Sequence, residues 1–198
     1  VLACGVPNDD DDTVATPEEE AWLEQLRGDD PGTPIRDDWM EWLHEIYTRR
    51  GPLARSIAEG LAMGEILRRA QEAAALVAKD VRVTLGSPPD ITTIIEAERV
   101  RVVVNGETAS GAGLMSFRPA ELLVEVADTA QEMVMDDYRV WPECLRHQAG
   151  LHAELDHGQA MWVCRSGKHV VAPIGQLVRT VPRSPGAARR QERARGRQ

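Results

Sequence analysis

The sequence predicts an α+β protein: N-terminal helices, then a small antiparallel sheet with one covering helix, then a C-terminal zinc-ribbon-like β module. Three observations predict it. Apolar residues between Thr16 and Lys79 recur at helical spacing. From Val81 the pattern changes to alternation, and Asn105-Gly106 supplies a strong hairpin signal. Finally, Trp141 to Leu177 holds two of the three cysteines and four of the five histidines, grouped as two close pairs.

Composition sets the frame. A chain of 198 residues with 42% apolar content supports a real core in one or two small domains. It contains no run of eighteen apolar residues, so no membrane span is expected. The expected organisation is an acidic disordered N-terminus (1–15), a helical region (16–80), a sheet plus helix (81–140), the zinc-ribbon-like module (141–177) and a disordered basic tail (178–198). From residue 178 onward seven arginines against Glu192 give +6, which leaves −15 on the rest of a chain whose net charge is −9. Three cysteines, two of them in a metal-like pattern, suit a reducing cytoplasm better than a disulfide framework. Val1-Leu2-Ala3-Cys4 is similar to a lipoprotein cleavage box, but a basic segment and an apolar run do not precede it.

The elements follow in order. Thr16-Pro17-Glu18-Glu19 is a helix start, with Thr as N-cap, Pro in the first turn and acids facing the dipole. That helix is expected to reach Arg27, and Gly28 to Arg36 to be a linker. Asp37 or Asp38 is expected to cap a second helix through Arg50, with Trp39, Trp42, Leu43 and Ile46 on one face. After Gly51-Pro52 a long Ala-rich helix is expected from Leu53 to Lys79, on a face through Leu53, Ile57, Leu61, Ala70 and Val77. Val81 to Leu85, Ile91 to Ile95 and Arg99 to Val104 read as strands, with a weak returning strand through Phe117. Pro119 opens a helix to Asp137, with Leu123, Val126, Ala127, Ala130 and Val134 inward and acids outward.

The chemistry lies in the last module. Cys144 and His147 form a C-x2-H pair; Cys164 and His169 form a C-x4-H pair. Zn2+ takes four N or S ligands in a tetrahedron, and a pair two to four residues apart can wrap a tight turn around one ion. Strands are expected at Leu151–Leu155, Ala160–Val163 and His169–Ile174, with turns at Asp156–Gln159 and Ser166–Lys168. Trp141, Trp162 and Ile174 would form its small core. A module of this size draws much of its folding energy from the metal, so Cys164→Ser is expected to unfold it and spare the helices. For the fourth ligand His152 and His157 compete with His169, whose spacing from Cys164 is the ordinary one. The competing reading is two buried apolar cysteines in a small globular protein with no metal.

Trp141, Pro142, Cys144, His147, Gly158, Ala160, Trp162, Cys164, Ile174, Gly175 and Leu177 also carry a resemblance. This stretch resembles the C-terminal part of small uncharacterised proteins of actinobacterial type, which end in W-P-x-C-P-x-H, G-x-A-x-W-x-C-P and I-G-x-L. Leu145 and Arg165 stand where that pattern has Pro. The resemblance covers about 60 residues and implies no activity.

Three functional classes are open. Zinc deaminases pair H-x-E with a later P-C-x-x-C, whereas here Pro142-Glu143-Cys144 precedes His152-Ala153-Glu154 and lacks the second Cys. Zinc proteases need H-E-x-x-H, and His152 to His157 has the wrong step. No phosphate-binding or nucleophile fingerprint is present, so the chain reads as a non-enzyme. Nucleic-acid binding through the ribbon and the Arg tail is the alternative. A protein-interaction or regulatory module held by structural zinc, with a protein partner and no membrane, is the favoured expectation.

Overall fold

The computed structural model describes residues 15–27, 36–85, 88–137 and 140–178. The expectations for the acidic N-terminus, Cys4, the 28–35 linker and the Arg tail lie outside them. Four helices and three small antiparallel sheets make the described residues α+β. No helix among them is long and apolar enough to cross a membrane. The chain divides into two compact units between Leu61 and Ala62.

The first unit contains α1 (Pro17–Arg27), α2 (Asp37–Arg50) and the start of α3 (Arg55–Thr84). The Thr16 hydroxyl accepts the Glu19 N–H at 3.2 Å, the N-cap that the sequence predicts. Trp22, Leu23, Trp42 and Leu43 are buried, and the Trp22 indole donates to the Leu53 carbonyl at 2.8 Å. The cap of α2 differs from expectation. Arg36 holds the N-cap position without a side-chain cap bond, and Asp38 instead accepts from the Arg36 guanidinium at 3.0 and 3.2 Å. Gly51, at φ +72°, ends α2 by donating to the Tyr47 carbonyl.

α3 differs from expectation at both ends. Its buried face runs through Ala58, Ala62, Ile66, Ala70, Ala74, Val77 and Val81, while Ile57 is 52% exposed and Leu53 precedes the helix. Val81 to Leu85, expected as a strand, continues the helix to Thr84. The alternation of V-R-V-T-L is too short to outweigh the helical period, which Val81 extends four residues beyond Val77. The Thr84 hydroxyl donates to the Asp80 carbonyl at 2.7 Å, and the Leu85 N–H to Val81.

In the second unit β1 (Ile91–Glu96), β2 (Arg99–Val104) and β3 (Glu107–Thr108) form an antiparallel meander, with Ile91 opposite Val104 and Glu96 opposite Arg99. Both turns are two-residue loops at positive φ, Ala97-Glu98 and Asn105-Gly106, the primed geometry that matches strand twist. The returning chain is weaker than a full strand: after β3 it bonds to β2 through the Ala109 N–H to the Val102 carbonyl at 2.9 Å and through an isolated bridge from Leu114 to Val100.

α4 (Pro119–Asp137) lies against β2 and against the C-terminal sheet of β6 (His152–Asp156), β7 (Gln159–Cys164) and β8 (His169–Pro173). It buries Leu122, Val126, Ala127, Ala130, Gln131 and Val134. Leu122 is fully buried while the expected Leu123 is half-buried, so the apolar stripe that meets the two sheets is wider than the sequence predicts. The last sheet is the short hairpin of β4 (Glu143–Cys144) and β5 (Ala149–Gly150).

Candidate metal centre

Two hairpin turns of equal length build the site. In the first, Cys144 ends β4 and pairs with Ala149 across a four-residue loop. In the second, Cys164 ends β7 and pairs with His169 across a loop of equal length. The fourth loop residue is left-handed in both, Gln148 at φ +51° and Lys168 at φ +49°. The first turn closes by bonds from the His147 and Gln148 N–H groups to the Cys144 carbonyl, at 3.1 and 2.7 Å. The Lys168 N–H closes the second on Arg165 at 3.3 Å.

Together the turns aim four donors at one point. One ligand atom each from Cys144, His147, Cys164 and His169 lies within 4.8 Å of the others. His147 Nδ1 is 3.5 Å from the Cys144 sulfur and 3.4 Å from the Cys164 sulfur, and His169 Nε2 is 3.7 Å from the Cys144 sulfur. Bonds of about 2.3 Å to S and 2.1 Å to N at a tetrahedral angle require an S–N separation of about 3.6 Å. The donor set therefore fits a tetrahedral metal ion. Both cysteines are buried and are free thiols, His169 is half-buried, and His147 is exposed. The Gly167 N–H donates to the Cys164 sulfur at 3.3 Å, a bond that stabilises sulfur as an anionic ligand.

The site stands on a buried base. The Trp141 and Trp162 rings meet edge to face with centroids 5.6 Å apart, and both are buried. Their indole N–H groups both reach the end of α3, Trp141 to the Thr84 hydroxyl at 2.8 Å and Trp162 to Asp80 Oδ2 at 2.7 Å. Asp80 is 0% exposed, and its carboxylate also accepts the Gly175 and Leu177 N–H groups at 2.6 and 2.8 Å. From α4, the Gln131 amide donates to the carbonyls of Trp141 and Leu151 at 2.9 and 2.6 Å.

Every residue of the expected ligand set is thus brought together. Of the competing histidines, His152 lies within β6 opposite Val163, and His157 is 96% exposed at the β6–β7 turn. Neither joins the group. Sequence reasoning did not single out Asp80, Thr84, Gln131 or Gly167. Asp80 had a signal: an acid three residues after Val77 and beside Val81, on the apolar side of a helix. Comparison of the chain with family models, curated proteins and solved structures finds no match.

Proposed function

We propose that this chain is a non-enzymatic protein-interaction or regulatory protein, and that Cys144, His147, Cys164 and His169 hold a structural zinc ion in a zinc-ribbon-like module. The observation that carries the reading is the set of three S–N separations of 3.4 to 3.7 Å, which match tetrahedral zinc bonds. Two thiolates and two imidazoles in a tetrahedron favour Zn2+ over oxygen-seeking cations. Four protein ligands leave a tetrahedral ion no position for a catalytic water. Ligands that must stay reduced favour a cytoplasmic location.

The surface beside the site supports the interaction reading. A groove of about 880 Å³ runs along β8 and past Cys144 and His169. Leu145, Val170, Val171 and Val178 line it and are exposed. Apolar groups gathered in one groove suit contact with another protein. Nucleic acid finds less support, since Arg165 beside the site is engaged by Glu154 at 2.5 Å.

Elemental analysis of the purified full chain tests the metal and should give one Zn per chain. The Co2+-substituted protein tests its role: its ligand-field spectrum should be tetrahedral and unchanged by azide. A spectrum that shifts on adding azide would mean an open coordination position and would restore a catalytic reading. Salt-sensitive retention on DNA, lost with residues 178–198, would favour the nucleic-acid reading.

A further inference from the structure

The two turns match in length and in their left-handed fourth residue, and the match exposes one position. Three residues after Cys144 stands the ligand His147; three residues after Cys164 stands Gly167. The second turn takes its ligand from two residues further on, at His169, the strand partner of Cys164. The third loop position therefore carries an imidazole in one turn and no side chain in the other.

A Cβ built on Gly167 would overlap the His147 ring at Cε1 and Nδ1, and would lie 2.8 Å from His169 Nδ1. Nδ1 is the His147 atom that faces both sulfurs. Backbone conformation does not demand this glycine, because Gly167 lies outside the left-handed region. Gly158 is the opposite case: its φ is +76°, and nothing lies within 4 Å of its added Cβ. One glycine is required by its turn, the other by what converges on it.

We propose that Gly167 is a positioning residue of the metal centre. Its missing side chain leaves the volume in which the His147 and His169 rings converge, and its N–H holds the Cys164 sulfur at 3.3 Å. The inference rests on the metal reading above. Disturbing the residues that orient metal ligands lowers metal affinity about 10- to 100-fold. In Gly167→Ala the N–H remains, so the effect reports the displaced imidazoles alone.

The test titrates the full chain with Co2+ and then with Zn2+ against a chromophoric chelator. Gly167→Ala should bind about 10- to 100-fold more weakly and show an altered ligand-field spectrum. Gly158→Ala should keep the wild-type spectrum. In a His147→Ala background the added methyl should lose the larger part of its effect, since only the longer 2.8 Å contact with His169 remains. This cycle also covers the case in which Gly167→Ala alone folds poorly. Wild-type affinity and spectrum in Gly167→Ala would overturn the inference and leave the metal reading standing. Equal effects of the methyl with and without His147 would overturn it too. A wild-type chain that gives no Co2+ spectrum would overturn both.

Discussion

The Trp162 indole N–H donates to Asp80 Oδ2 at 2.7 Å, joining two residues 82 positions apart inside the second unit. The same carboxylate accepts from Gly175 and Leu177, so a single buried acid at the end of α3 fixes both β7 and the chain after β8. Asp80→Ala leaves three N–H groups without their acceptor. At about 1–3 kcal/mol for each buried donor left unsatisfied, the loss should be at least about 3 kcal/mol. Urea unfolding followed by tryptophan fluorescence measures it. A loss below about 1 kcal/mol would mean that water takes over the acceptor role.

Metal removal should loosen more than the module itself. If residues 141–177 were a separate ribbon, chelation or Cys164→Ser would leave the rest untouched. Trp141 and Trp162 instead bond to Thr84 and Asp80, so the last turns of α3 share the module's core. Hydrogen exchange should accelerate first in the loops 145–148 and 165–168, then in β7 and the end of α3. Acceleration confined to 141–177, with α3 unaffected, would contradict this.

Gly175 combines a conformational and a steric demand. It sits at φ +88°, and an added Cβ would lie 2.9 Å from Leu76 Cδ2 and 3.0 Å from Leu76 Cβ. Gly175→Ala should therefore cost about 2–4 kcal/mol, from left-handed strain plus overpacking. Leu76 is 40% exposed, so Leu76→Ala should itself cost little and recover part of that loss in the double variant. Thermal unfolding of the four proteins gives the coupling.

Glu65 carries a pH dependence. Hydrogen bonds from Arg68 above all, and then from Arg69, hold its carboxyl below the ordinary value of 4.5 against the opposing effect of burial. A group lowered on folding stabilises the protein above its unfolded value, and that contribution is lost as the pH falls through the folded value. Wild type and Glu65→Gln should thus differ most above pH 4.5 and converge as the acid protonates. Because the pair is largely on the surface, the difference should stay below about 1 kcal/mol. Unfolding curves at pH 7 and pH 3 decide it.

Much of the fold was legible because its signals are local. Thr16 and Pro119 announce helix starts, Asn105-Gly106 announces a turn, and Cys144, His147, Cys164 and His169 lie close enough in sequence for their spacing to imply two turns. Failures came where distant contacts decide. Val81 and Val83 alternate with polar neighbours like a strand, yet Val81 is fully buried on a helix. Leu122 and Leu123 are equivalent to a helical period, and only the sheets around α4 choose between them. The support of the site was hidden for the same reason: Asp80 meets partners 82 to 97 residues later, and no local pattern encodes such a pairing. Gly167 was hidden differently, as a residue whose contribution is an absent side chain.

The long reach of Asp80 has a consequence during synthesis. Leu177 leaves the peptidyl-transferase centre 97 residues after Asp80. At about 5–20 residues per second, that interval lasts roughly 5–20 s. Through it, α3 is already made while its inward-facing acid still has no indole and no backbone amide to receive. The nascent helix must keep that side chain hydrated, so its C-terminal turns cannot settle into the core as they emerge. Burial of Asp80 is therefore a late event of biogenesis, awaiting β7 and the residues that follow β8.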